Sequence, residues 1–154
     1  MFIFSLLINI QIIVIINSKF FMKILPSNKT YVSKSTIHGL GVFSSKFIKK
    51  GELIEECPLI RLDVTPQEYI NNNILFDYTF NWPPETNQWT EQVICLGFGS
   101  LYNHSTNPSA RWKANYINKT LEFFSIKDIQ SDEEIFVFYG DEFYWKDRPH
   151  TKLI

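Results

Sequence analysis

The 154-residue chain carries 15 basic against 16 acidic residues, a formal net charge of -1, and is 45% hydrophobic and 16% aromatic. So rich an apolar supply excludes disorder over most of the length, and a charge balance without a long basic run argues against direct nucleic-acid binding through phosphate neutralisation. Two distant cysteines, Cys57 and Cys95, rule out a cysteine-only zinc site and argue against a disulfide scaffold. Three histidines, at 38, 104 and 150, lack ligand spacing, so no metal site is expected.

The chain opens with "FIFSLLINIQIIVII", Phe2 to Ile16. It is shorter than the roughly 20 apolar residues that a spanning helix needs, which argues against a membrane partner. It also lacks the positive start and small-residue cleavage site of a secretory signal. Residues 1–21 therefore read as a hydrophobic extension, from an upstream start codon or as a signal or anchor, ahead of a domain opening near Met22.

Tyr31 to Lys34 and Gly41 to Ser44 are β-prone pieces around "STIHGLG", and Leu53 to Ile60 reads as a buried strand ended by Pro58 and "RLD". Thr65, Pro66 and Glu68 form a helix start, with a cap, a proline at the first helical position and a capping-box glutamate. That helix is brief, because Asn71 to Asn73 suit a helix interior poorly. Phe76 to Thr90 reads as aromatic and irregular, with Pro83-Pro84 opposing regular structure. "EQVICLGFG" returns to a buried strand or helix, its glycines permitting close backbone approach. "ARWKANYI" and "TLEFFSI" are expected to form a hairpin across the two residues Asn118-Lys119. "EEIFVFYGDEFYW" starts as a strand and ends in an aromatic segment. The inventory predicts a mostly β fold, a barrel or a set of small sheets with few short helices.

Taken singly, the polar motifs are ordinary. "HGLG" is a tight turn without the third glycine of a dinucleotide fingerprint. "SLYNHSTNPSA", Ser100 to Ala110, has the composition of a surface loop. Tyr139 has the form of a core tyrosine with its hydroxyl at the surface. No nucleophile with a partnered base gives a hydrolytic triad.

Their order is more telling. "STIHGLGVFSSKFIKKGELIEE", "GFGSLYNHSTNPSA" and "SDEEIFVFYGDEFYW" together resemble the three motifs of the SET-domain protein lysine methyltransferases, over residues 29–148. The compact length and "YGDEFYW…RP" are especially similar to the minimal viral members of that family. The resemblance implies small antiparallel sheets with a C-terminal pseudoknot, and a methyl transfer from S-adenosylmethionine to a lysine amine on a protein or peptide, typically a histone tail. It implies cofactor binding by His38, Gly39, Leu40, Gly41, Asn103, His104 and Tyr139, with Tyr139 as the catalytic tyrosine. Phe143, Tyr144 and Trp145 would close the cofactor end by stacking. Tyr78, Phe80, Tyr102 and Trp112 are the aromatic candidates for the substrate lysine channel. A homodimer is implied by the viral relatives, and a nuclear or cytoplasmic setting fits equally. The competing reading is a catalytically silent module that binds a peptide or a partner; the intact Gly39/Gly41, Asn103-His104 and Tyr139 favour the enzyme.

Three departures from the family pattern stand out: Cys57 where many members carry Tyr, Asp132 at a turn position that is usually Gly, and Trp112 near the position that sets how many methyl groups fit. Glu52, Glu55, Glu56, Asp141 and Glu142 lie within the motifs, either as a solvated face or as steering charge for a basic peptide.

Overall fold

In a computed structural model the described residues are 24–62, 74–84 and 91–140. The Phe2 to Ile16 segment, the Thr65 helix start, Asn71 to Asn73 and Phe143 to Trp145 lie outside them.

Among the described residues, nine strands form three sheets. β1 (Thr30–Lys34) and β2 (Leu40–Ser44) make an antiparallel ribbon, from Thr30 opposite Ser44 to Lys34 opposite Leu40. β3 (Leu53–Leu62), β4 (Thr79–Trp82), β5 (Glu91–Cys95), β7 (Ala110–Asn115) and β8 (Thr120–Ser125) make a five-stranded antiparallel sheet, ordered β4-β5-β3-β8-β7. β6 (Asn103–His104) and β9 (Phe136–Val137) form a short parallel pair. Two 3-10 turns, Ile74–Tyr78 and Gly99–Leu101, lead into β4 and β6.

The central strand runs through Pro58 instead of ending there. Its first half pairs with β8, up to Pro58 opposite Thr120, and its second half pairs with β5, beginning at Leu59 opposite Cys95. The proline stands at the hand-over, so its missing N–H interrupts only the end of one ladder. The Pro58 carbonyl accepts the Leu96 N–H at 2.9 Å.

Two further expectations need correction. β4 is a regular strand within the stretch read as irregular: its four residues pair with β5, and the prolines fall just after Trp82, where the ladder is finished. The β7–β8 connection is a four-residue turn, not two residues, because Asn115 pairs with Thr120. The Asn115 side-chain oxygen accepts the Asn118 N–H at 3.0 Å, and Lys119 takes a left-handed φ of 55° to complete the turn. Asp132, at the turn position usually held by glycine, has φ 64°, a region that Asp tolerates better than most residues.

Val42, Ile48, Cys57, Leu121, Phe123, Ile129 and Ile135 are fully buried and join the ribbon, the large sheet and the segment before β9 into one core. Isolated bridges Phe43–Glu134 and Ile48–Ile129 tie that last segment to the ribbon. Among the described residues, no helix is long and apolar enough to cross a membrane.

Candidate active site

The site forms where β6, β9 and the β1–β2 turn meet. β6 pairs with a late strand, Asn103 opposite Phe136 and His104 opposite Val137. The Ser105 N–H donates to the Val137 carbonyl, and the Ser109 N–H to the Phe136 carbonyl, each at 3.0 Å. Ser109 Oγ in turn accepts the Phe136 N–H at 3.0 Å. The segment leading to Tyr139 is thereby laced along the Asn-His loop. The expected C-terminal pseudoknot turns on the chain beyond Gly140, which lies outside the described residues.

Asn103 is buried and faces the β1–β2 turn. Its Nδ2 donates to the carbonyls of His38 and Leu40, both at 3.1 Å, and to Glu134 Oε1 at 2.8 Å. Two hydrogens serve three acceptors, so one is shared. Ser35 Oγ donates to the other Glu134 oxygen at 2.9 Å and accepts the N–H groups of Ile37 and His38. The Ser35 N–H closes the turn on the Gly39 carbonyl at 3.0 Å. The His38–Gly41 turn is thus held from beneath by a buried carboxylate, an amide and a hydroxyl. Such a network fixes geometry when every member is satisfied.

The glycines have separate reasons. Gly39 has φ 51° and open space where a Cβ would stand, so the backbone conformation is what requires it. At Gly41 a Cβ would lie 2.1 Å from Glu134 Oε1, so close approach is the requirement.

Ser35 and Glu134 were not singled out from the sequence. Glu134 precedes an alternating apolar run and looks like a solvated strand-end acid; nothing local signals that it turns inward, 99 residues from Ser35.

The Tyr139 hydroxyl donates to the Tyr102 main-chain carbonyl at 2.5 Å, and its N–H donates to His104 Nδ1 at 3.1 Å. His104 stacks obliquely between Phe138 and Tyr139, with ring centroids 5.4 Å from each. Partial burial pushes its pKa below the ordinary histidine value, so the ring is neutral at pH 7 and Nδ1 is available as an acceptor.

The aromatic candidates separate. Trp112 and Phe80 meet edge to face at 5.3 Å, Phe80 meets Phe123 at 6.3 Å, and Phe123 stacks on Tyr102 at 4.8 Å, giving one continuous aromatic file. Tyr102 is 1% exposed, so its ring belongs to the core and its carbonyl is the part that meets Tyr139. Tyr78 is exposed at the end of the first 3-10 turn, and its carbonyl accepts from Ser100 Oγ at 2.8 Å.

The acidic residues read as steering charge or a solvated face are mostly engaged. Glu52 pairs with Lys29 at 2.9 Å, which lowers its pKa. Glu56 accepts from Asn118 and Thr120, and Glu55 is buried. Asp141 and Glu142 lie outside the described residues.

Known proteins resemble this chain in sequence and in fold. The SET domain family model matches residues 39–140, well over half of the chain. A histone-lysine N-methyltransferase of Schizosaccharomyces pombe, specific for H3 lysine-37, is 29% identical over 116 residues, covering 73% of this chain and 74% of its own. The histone-lysine N-methyltransferase EZH2 of Chaetomium thermophilum is 30% identical over 115 residues, 68% of this chain but only 8% of that much longer protein. A Plasmodium falciparum protein assigned as a histone methyltransferase superposes with a TM-score of 0.58 at 30% identity, over 79% of this chain and 99% of that one. A humanized Chaetomium thermophilum Polycomb Repressive Complex 2, bound to the inhibitor GSK126, shares the fold with a TM-score of 0.57 at 23% identity, over 75% of this chain and 15% of that one.

Proposed function

The chain belongs to the SET-domain family, and on that footing we propose that it transfers methyl groups from S-adenosylmethionine to a lysine amine on a histone tail, with residues 29–148 as the working domain. The observation that carries this reading is the β6–β9 seam. It joins the cradle of His38, Gly39, Leu40 and Gly41 to Asn103-His104, and sets the Tyr139 hydroxyl against the Tyr102 carbonyl.

The residues present fit the cofactor. The turn offers main-chain polar groups, with open space above Gly39 and the exposed apolar side chains of Leu40 and Phe138 nearby in sequence or contact. Asn103 serves this site by pinning the turn, His104 by its backbone and by holding the Tyr139 N–H, and Trp145 would close the far end by stacking. Bound there, S-adenosylmethionine supplies an electrophilic methyl carbon beside a positive sulfonium.

The protein's own part is alignment and desolvation. Tyr139, its proton committed to the Tyr102 carbonyl, presents a phenol oxygen in a fixed direction, and two held oxygens of this kind are a preorganised electrostatic environment. Phe80 and Trp112, the partly exposed end of the aromatic file, with Tyr78 at its edge, offer a desolvating wall that together with the sulfonium's positive charge disfavours an ammonium, so the substrate amine gives up its proton to solvent before it attacks. Trp112 narrows this wall and would limit how many methyl groups fit. A near-neutral chain supports a protein tail as substrate. Small size and motif spacing support the likeness to the minimal viral enzymes, and with it a homodimer.

The test is incubation with methyl-labelled S-adenosylmethionine and a set of recombinant histones, with Tyr139→Phe in parallel. Label on a histone lysine that vanishes in the variant is expected. Absence of cofactor binding by the wild type overturns the reading.

A further inference from the structure

Beneath the Asn-His loop lies a second polar group that the methyl transfer described above does not use. Glu55, 7% exposed, stands on β3 opposite Phe123, next to the register shift between Leu53 and Glu55. Its Oε2 accepts the Phe98 N–H at 3.4 Å. Its Oε1 is buried without a hydrogen-bond partner among the described residues, and so is the hydroxyl of Tyr102. The two share a neighbourhood: Glu55 stands opposite Phe123 on the adjoining strand, and the Tyr102 ring stacks on Phe123 at 4.8 Å. An unmade bond at a buried polar atom costs roughly 1–3 kcal/mol, so two neighbouring orphans are an expensive arrangement unless they serve each other.

Their surroundings leave few other partners. No ion pair among the described residues includes Glu55. Burial pushes the Glu55 pKa up, against smaller opposing effects of Tyr102, Phe98 and Cys57. Cys57 is pushed up in turn, first by its hydrogen bond with Cys95 and then by burial, so the neighbouring thiol carries no charge. Burial there favours the protonated carboxyl over the carboxylate, and either form has an oxygen that can accept from a phenol.

The backbone above it closes tightly. At Gly99 a Cβ would meet Cys95 Cβ at 2.6 Å, Cys57 Sγ at 2.8 Å and Phe123 Cε2 at 3.0 Å. The Leu101 N–H turns back onto the Phe98 carbonyl at 2.8 Å, and Ser100 Oγ accepts the Cys95 N–H at 3.2 Å. The turn that Glu55 grips at Phe98 therefore ends at Tyr102, four residues later.

We propose that Glu55 is a positioning residue for the methyl transfer: its carboxyl anchors the Tyr102 side chain from within, and so fixes the Tyr102 carbonyl that holds the Tyr139 hydroxyl. This rests on the methyltransferase reading for its consequence in rate, but not for its geometry. Stacking on Phe123 fixes the plane of the Tyr102 ring and leaves sliding within that plane open. A hydrogen bond at the hydroxyl removes that freedom. Glu55 then grips both the start of the turn, at Phe98, and its end, at Tyr102.

The test labels the full chain with tyrosine carrying carbon-13 at Cζ, whose resonance reports the hydroxyl's hydrogen bonding. The variants are Tyr102→Phe, Glu55→Leu, Glu55→Gln and the double variant Tyr102→Phe/Glu55→Leu. Tyr102→Phe and Glu55→Leu should each move the Tyr139 resonance, the double variant should move it no further, and Glu55→Gln, which keeps a neutral donor and acceptor, should restore it. In turnover, the first two variants should lower kcat roughly 10- to 100-fold, the range expected for a small misplacement of an aligning group, with KM for the histone peptide little changed and with rescue by Gln. Tyr102→Phe is the variant that spares the packing. If it leaves the Tyr139 resonance in place in a folded protein, the proposal is overturned. Wild type that methylates no substrate defeats the functional reading alone, because the resonance still reports on the anchor.

Discussion

Replacing Gly41 by Ala is the sharpest probe of the cradle. The new Cβ would stand 2.1 Å from Glu134 Oε1, 2.8 Å from its Cδ and 3.1 Å from Asn103 Nδ2. Ordinary contact begins at 3.4 Å, so the carboxylate must retreat by the difference, 3.4 − 2.1 = 1.3 Å. Its bonds to Asn103 at 2.8 Å and Ser35 at 2.9 Å do not survive such a shift unaltered. Losing one charge-assisted bond costs about 1.5–3 kcal/mol and overpacking about 1–3 kcal/mol, so a total of about 2.5–6 kcal/mol is expected. In a chain of this size that lowers Tm by about 5–24 °C. Gly39→Ala is the control: nothing lies within 4 Å of its Cβ, and only the left-handed backbone at φ 51° is penalised, by about 1–2 kcal/mol. Urea unfolding of both variants, with S-adenosylmethionine titrated by calorimetry, reads the difference. Gly41→Ala should lose cofactor affinity along with stability. A Gly41→Ala protein as stable as Gly39→Ala would refute the argument that Glu134 supports the turn.

Other perturbations follow from the same contacts. At Asp132, with φ 64°, both Ala and Gly forfeit the bond from the Tyr31 hydroxyl and differ in backbone freedom. Asp132→Gly should therefore be more stable than Asp132→Ala by about 1 kcal/mol in chemical denaturation; equal stability would mean that the turn relaxes. His104 has a folded pKa below its unfolded one because of burial, so the unfolded chain binds the proton first as pH falls. Stability should be full above the ordinary histidine value, near 6.5, and decline as pH drops from there through the lower folded value. Loss of the Tyr139 N–H bond should appear in hydrogen exchange over the same window, and a His104→Gln variant should flatten the profile. Gly99→Ala drives a methyl into Cys95, Cys57 and Phe123, at a cost of about 1–3 kcal/mol. Adding Cys57→Ala should recover part of this cost, which a double-mutant cycle measures.

What the sequence made legible was local. The β1–β2 ribbon around "STIHGLG", the alternation in β7 and β8, and the turn at Asp132 follow from composition over a few residues. β4 was hidden because its four residues sit between a 3-10 turn and two prolines, and its partner β5 supplies the ladder that defines it. Pro58 reads as a terminator until the strand is seen to change neighbours beside it. The site divides in the same way. His38 to Gly41, Asn103-His104 and Tyr139 were picked out by motif order, whereas Glu134, Ser35 and Glu55 act through tertiary contacts that no local pattern announces. Tyr102 illustrates the limit well: it was singled out as a channel aromatic, and its backbone is what reaches Tyr139.

The seam between β6 and β9 also bears on how the molecule comes into being. The large sheet draws its last strand from Thr120–Ser125, and the aromatic file over it needs nothing later than Phe123. The cradle, by contrast, waits for Glu134 to reach Ser35 across 99 residues and for Phe136 to find Asn103. Contacts of such separation are slow to form because the chain entropy is lost before the contact repays it. A chain emerging from synthesis can thus lay down its sheet before its cofactor site exists. A ligand of the cradle would bind only chains in which the segment of Glu134 and Phe136 has docked, and by mass action it would draw the folding equilibrium toward them.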